Sequence, residues 1–283
     1  MLGKELENLM LARRQQCKTE LIFFVNAGDP NLAITYEMLS ILAHRGVAAV
    51  ELCVPFPRSL TDGPLIRRSH QRALEASTVD LTEVLKLAKR ARKNLGLSIV
   101  LLADYGHTVQ PLGMDEFLYR CVDAEVSATL IHCLPPVWRS EYVQQSAQYG
   151  IGRIMSFFAG SDEATRNAAY QEAMGYLYVV SRFGRTGNKV NFDRSVLDQL
   201  AAIRNQTQKP LAVGFGVKNA TDISVLRAVG ADAVIIGSAA TAIVEKQLAT
   251  PKNIAGEFDR LVVEFSQVCR DSADLNDSIR RFV

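Results

Sequence analysis

The sequence predicts an α/β fold: one (β/α)8 TIM barrel with an extra helix ahead of the first strand. Three observations carry this reading. Eight short apolar, β-branched or aromatic runs recur along the 283 residues, with helical periodicity between them. Most of these runs are apolar on both faces, which suits a buried parallel sheet rather than an alternating antiparallel one. Eight strand–helix units over about 250 residues match such a barrel in number and size. An open doubly wound sheet would usually announce its ligand at a Gly-rich first turn. Here that turn reads NAGDPN (26–31), which is not GxGxxG.

The strand candidates in order are LIFFVN (21–26), AAVELCV (48–54), SIVLLA (98–103) and SATLIH (127–132). GRIMSFF (152–158), YLYVVS (176–181), PLAVGF (210–215) and AVIIGS (233–238) complete the set. Between the first two strands, residues 31–46 place Leu32, Tyr36, Leu39, Leu42 and Ala43 on one helical stripe, with Gly46 as a stop. Residues 80–96 open on an Asp-x-x-Glu capping box and close on basic residues and Gly96. Residues 219–231 repeat the design from Asn219 to Gly230. The first ~18 residues read as the extra helix, and residues 251–270 as a closing one. No Pro/Gly/Ser-rich linker divides the chain, so residues 1–283 are read as one domain.

Composition narrows the function. Hydrophobic residues make up 48% and charged ones 22%, the balance of a globular protein with a large core. A net charge of +2 gives no field that would draw the chain to nucleic acid or anionic lipid. The basic clusters at 67–72 and 89–93 fall in helical contexts and are expected on solvated faces. The N-terminal residues lack the continuous apolar segment of a secretory signal, and no run approaches the ~18 apolar residues of a membrane span. Five scattered cysteines without a CxxC pair, and four dispersed histidines without HExxH spacing, read against a disulfide framework or a metal site. A cytoplasmic protein is expected.

In a barrel of this kind the chemistry lies at the C-terminal strand ends and the loops after them. Glu51 lies late in the second strand between Val50 and Leu52. Strand alternation aims it either into the barrel mouth or toward the apolar helix layer, where its charge would need a partner such as an arginine. The mouth is the favoured reading. Asp62 follows in the next loop, inside an Asp-Gly-Pro turn that would be structural if taken alone. Two carboxylates around one cavity can divide acid and base duties if their environments separate their pKa values. Three glycine-rich turns come later, at 181–188, 214–219 and 237–241. Gly187, Gly216, Gly237 and Ser238 are the natural backbone donors for a phosphate group.

With these residues identified, the chain resembles the alpha subunit of tryptophan synthase over roughly residues 1–270. The likeness is carried by FVNAGDPN, VELCVPFPRSLTDGP, LYVVSRFGRTG, VGFGVKN and IIGSAAT. It implies retro-aldol cleavage of indole-3-glycerol phosphate to indole and glyceraldehyde 3-phosphate, with no metal or organic cofactor. Glu51 then matches the family's acid/base, which protonates indole C3 and takes the glycerol hydroxyl proton. Asp62 matches the acceptor of the indole N–H proton. The phosphate site maps to Gly187, Gly216, Gly237 and Ser238, the closing-loop threonine to Thr186, and the ring-packing aromatics to Phe24 and Tyr178. A beta-like partner subunit is also implied.

The departures cluster around the mouth. Pro57, Arg58 and Ser59 replace the family's usual Ser-Asp-Pro after the second strand, which alters the partner-facing loop. After the third strand, ADYGHTV is one residue longer than usual and brings Asp104, Tyr105 and His107. After the fourth, His132 and Cys133 stand where the family has a small residue and an aspartate, and Arg185 enters the sixth loop. Adjacent strand residues point to opposite faces, which argues against a Cys133 nucleophile paired with His132. Three readings follow. The first is an indole-3-glycerol-phosphate lyase, working alone or with a partner. The second is an aldolase or isomerase on another phosphorylated aromatic substrate that recruits Asp104, Tyr105 and His132. The third is a non-catalytic regulatory barrel.

Overall fold

The computed structural model describes residues 2–16, 18–76, 79–180, 194–214, 217 and 219–270. Its sheet contains β1 (Glu20–Asn26), β2 (Ala49–Cys53), β3 (Ser98–Asp104), β4 (Ala128–His132), β5 (Gly152–Arg153), β6 (Met155–Phe158), β7 (Leu177–Val180), β8 (Leu211–Gly214) and β9 (Ala233–Ile236). Paired in parallel, they run in the order β5-β4-β3-β2-β1-β9-β8-β7-β6. The two ends of that order are consecutive in the chain. β5 pairs with β4, β6 pairs with β7, and only Ile154 separates them. The eight expected strands are therefore present, with the fifth split in two. At the junction the N–H groups of Gly152 and Ile154 both donate to β4, at Ser127 O (3.0 Å) and Thr129 O (2.9 Å), while that of Arg153 donates to the other side, at Met174 O (2.8 Å), in an antiparallel bridge. The junction thus touches the neighbours on both sides, and the sheet closes into a nearly complete barrel.

Alternation sorts the side chains into two cores. Ile22, Ala49, Val100, Ala128, Leu130, Ile154, Tyr176, Ala212, Ala233 and Ile235 form the barrel interior. The opposite parity, including Phe23, Val50, Leu52, Ile99 and Leu101, packs outward against the helices. Phe24 is registered beside Glu51, and Glu51 beside Val100. Glu51 thus shares the inward parity of Ala49.

The helix signals read from sequence act as caps. Asn31, Asp80 and Asn219 accept from the N–H groups of Ile34, Glu83 and Asp222 at 2.9, 3.0 and 3.1 Å. Gly96 closes its helix at φ +69, in the left-handed region that favours glycine.

The extra helix, Leu2–Gln15, crosses the floor of the barrel. Its Leu6 and Met10 join the interior cluster, and burial of each contributes on the order of 2–3 kcal/mol. Glu7 fixes its place, pairing with Lys209 Nζ (2.9 Å) and accepting from Gly175 N (3.3 Å). The basic clusters expected on solvated faces keep exposed members at Arg68, Arg90 and Lys93 and also reach acidic groups on other elements. Arg92 meets Glu5 (3.0 Å), Lys89 meets Asp123 (3.0 Å), and Arg72 forks onto Asp29 (2.8 Å). Helix periodicity showed which face these residues occupy but not what lies opposite it. Among the described residues no helix is long and apolar enough to cross a membrane.

Candidate active site at the barrel mouth

Glu51 is buried, with 1% of its surface exposed, and its neighbour is a tyrosine rather than an arginine. The Tyr176 hydroxyl donates to Glu51 Oε1 at 2.6 Å. Burial pushes the Glu51 carboxyl up to about 7, and the tyrosine bond only partly opposes it. At neutral pH this group is poised between acid and base, as proton transfer in both directions requires.

Asp62 lies between β2 and the helix Pro64–Ala76. Burial pushes its carboxyl up too, but hydrogen bonds from His70 and Ser59, with the charges of His70 and His132, outweigh burial and hold it below its ordinary value. The Ser59 hydroxyl donates to Asp62 Oδ2 at 2.7 Å, and His70 Nε2 lies 3.4 Å from the same oxygen. The Phe56 N–H donates to His70 Nδ1 (3.3 Å), so the neutral ring carries its proton on Nε2 and offers it to Asp62. Two carboxylates eleven residues apart thus have divergent proton affinities. The charges of both carboxylates push the hydroxyl of Tyr178 and the thiol of Cys53 up, after burial, which does the most.

A second polar cluster adjoins the first. Asp104, at the end of β3, accepts from the N–H of His107 (3.0 Å) and from its Nδ1 (2.7 Å). Its other oxygen lies 3.4 Å from His132 Nδ1 at the end of β4. Burial raises the Asp104 carboxyl, yet hydrogen bonds from His132 and His107 bring it down to about 2. His132 Nε2 takes the Thr61 hydroxyl at 2.8 Å. That bond joins the Asp62 loop to β4. The Phe56 ring packs among three imidazoles, with centroids 4.5 Å from His70, 5.6 Å from His107 and 6.0 Å from His132.

The remaining site expectations divide. Phe24 faces Gly237, where an added Cβ would lie 3.6 Å from Phe24 Cβ. Tyr178 packs against the interior cluster, and a side chain at Gly214 would strike its ring. Gly237 and Ser238 open the helix Ser238–Lys246, whose first N–H groups are of the kind that receives an anion. Thr186, Gly187 and Gly216 lie outside the described residues, as does Arg185. Tyr105 packs partly buried against the outer core. Cys133 overturns the alternation argument: it has left the strand at φ +55, and its Sγ lies 3.7 Å from His132 Nε2. Sequence reasoning missed Tyr176, Ser59, His70 and Phe56. Only Tyr176 left a usable signal, two residues before Tyr178 and therefore on the same face.

Fold and site together define a parallel (β/α)8 barrel with two carboxylates of divergent proton affinity, Glu51 in β2 and Asp62 in the segment after it. The family model described as "Tryptophan synthase alpha chain" matches residues 10–270. A tryptophan synthase alpha chain from Burkholderia mallei (strain NCTC 10229) is 35% identical over 260 residues, covering 92% of this chain and 94% of the relative. One from Geobacter sulfurreducens is 32% identical, covering 92% and 95%. The crystal structure of the Legionella pneumophila alpha chain superposes with a TM-score of 0.83 at 24% identity, covering 95% and 98%, a likeness of fold. The chain belongs to the tryptophan synthase alpha chain family.

Proposed function

We propose that the chain is a carbon–carbon lyase that cleaves indole-3-glycerol phosphate to indole and glyceraldehyde 3-phosphate. The observation that supports this most is the split between Glu51, pushed up to about 7, and Asp62, held low. Cleavage needs a proton delivered to indole C3, an acceptor at the indole nitrogen and a base for the glycerol hydroxyl. Protonated Glu51 supplies the first, and the resulting carboxylate takes the hydroxyl proton as the C–C bond breaks. Its electrons then return to the ring, and the hydroxyl carbon leaves as the aldehyde. Asp62, already ionised, accepts at nitrogen. Gly237 and Ser238 hold the phosphate through helix N–H groups, and the resemblance adds Gly187, Gly216 and Thr186 to this role. Phe24 and Tyr178 flank the ring.

The test is indole release from indole-3-glycerol phosphate by the purified chain alone. Glu51→Gln and Asp62→Asn are each expected to lower kcat by at least about 100-fold, the usual scale of a general acid–base group. Unchanged turnover in Glu51→Gln would overturn the assignment.

A second reading adds a partner. A related alpha subunit occurs in a structure described as the tryptophan synthase complex from Pyrococcus furiosus. Here Leu60 is 80% exposed and Val137 is 76% exposed, in the loops after β2 and β4. We infer that these loops dock a beta-like chain. A several-fold rise in kcat on adding such a chain, lost in Leu60→Asp, is the expected result.

A further inference from the structure

Asp104, His132 and Cys133 take no part in the proton transfers assigned to Glu51 and Asp62, yet they converge. One ligand atom from each lies within 4.8 Å of the other two. Zinc bonds of 2.0–2.3 Å set tetrahedral edges of roughly 3.4–3.8 Å, so modest side-chain rotation closes the set. We propose that these three residues form a binding site for one divalent cation of the zinc class at the barrel mouth.

Three observations carry the assignment. Carboxylate, imidazole and thiol form a mixed set that suits a borderline-soft ion and leaves a fourth tetrahedral position open. Cys133 adopts φ +55, a backbone conformation that L residues seldom take, and its Sγ comes within 3.7 Å of His132 Nε2. Asp104 is already oriented: Oδ1 is held by His107 while Oδ2 is turned toward His132, the supporting bond that metal ligands usually receive.

Occupancy has a consequence for the neighbouring loop. His132 Nε2 now accepts from Thr61. If the ion binds Nδ1, the nitrogen that faces Asp104 Oδ2, the ring proton moves to Nε2 and Thr61 must change from donor to acceptor, which resets the tie between the Asp62 segment and β4. The inference stands apart from the lyase reading, because it concerns ion binding whatever the substrate.

The test is a cobalt titration of the full chain after chelator and reductant treatment, followed by competition with zinc. One equivalent should bind, with tetrahedral ligand-field bands and a sulfur-to-cobalt charge-transfer band, and zinc should abolish both. Cys133→Ser should remove the charge-transfer band, while Asp104→Asn and His132→Asn should weaken binding at least about tenfold. Cys133 is exposed, so its substitution should preserve the fold, which circular dichroism checks. The absence of a charge-transfer band in the parent chain, or a band that survives Cys133→Ser, overturns the proposal. So does rapid alkylation of Cys133 at neutral pH that zinc does not slow. That outcome assigns the cluster to thiol nucleophilicity instead.

Discussion

Glu51 shows how one side chain can work against the stability of its own fold. Unfolded, it titrates near the ordinary 4.5; folded, near 7. Between those values the unfolded chain gives up its proton while the folded chain keeps it, so rising pH favours unfolding. The penalty grows from about pH 4.5 to about pH 7 and then levels off. A shift of that size corresponds to roughly 3 kcal/mol. Glu51→Gln keeps an acceptor for Tyr176 and removes the charge. It should therefore raise Tm at pH 8 while leaving it nearly unchanged at pH 4, as paired thermal melts would show. A variant no more stable than the parent at pH 8 would contradict the buried, half-ionised carboxylate. Because strand alternation is strict, the sequence revealed Glu51's choice of faces. It could not reveal Tyr176 as its partner, since that contact spans the barrel interior.

At the scale of single elements, the segment between β2 and the helix Pro64–Ala76 matters most. It holds Asp62 from two sides. Ser59 and His70 position the carboxylate itself, and Thr61 ties the segment to β4 through His132. A neutral hydrogen bond is worth about 1 kcal/mol net, or roughly fivefold in an equilibrium. Thr61→Val should thus lower kcat for indole release by roughly fivefold and shift Tm by little; a kcat equal to the parent's would show that the tie does not matter. Helix starts at Asn31, Asp80 and Asn219 were legible because capping is local in sequence. His107 and His132 were expected near the mouth, but their packing with His70 around Phe56 was not, because contacts between side chains of separate loops leave no periodic mark in sequence. The departure of Cys133 from strand geometry was equally hidden, since it is a backbone change that no neighbouring glycine or proline announces.

Over the whole molecule, eight apolar runs and their spacing were enough to anticipate a barrel, because burial on both sheet faces leaves a simple mark in composition. The split fifth strand left no such mark, since the bridge at its junction joins Arg153 to Met174, far apart in the chain. The floor helix was legible as an element but not as a plug. Leu6→Ala would open a cavity where Leu6 and Met10 meet the interior cluster, costing roughly 2–5 kcal/mol. Tm should fall by roughly 5–15 °C, with a smaller change meaning that the floor is sealed by other groups. The plug also imposes an order on biosynthesis. Residues 2–15 leave the ribosome well before part of the surface they cover, at Gly175, Lys209 and Asp232, has been made. This segment must therefore wait through much of translation before the floor it plugs is complete.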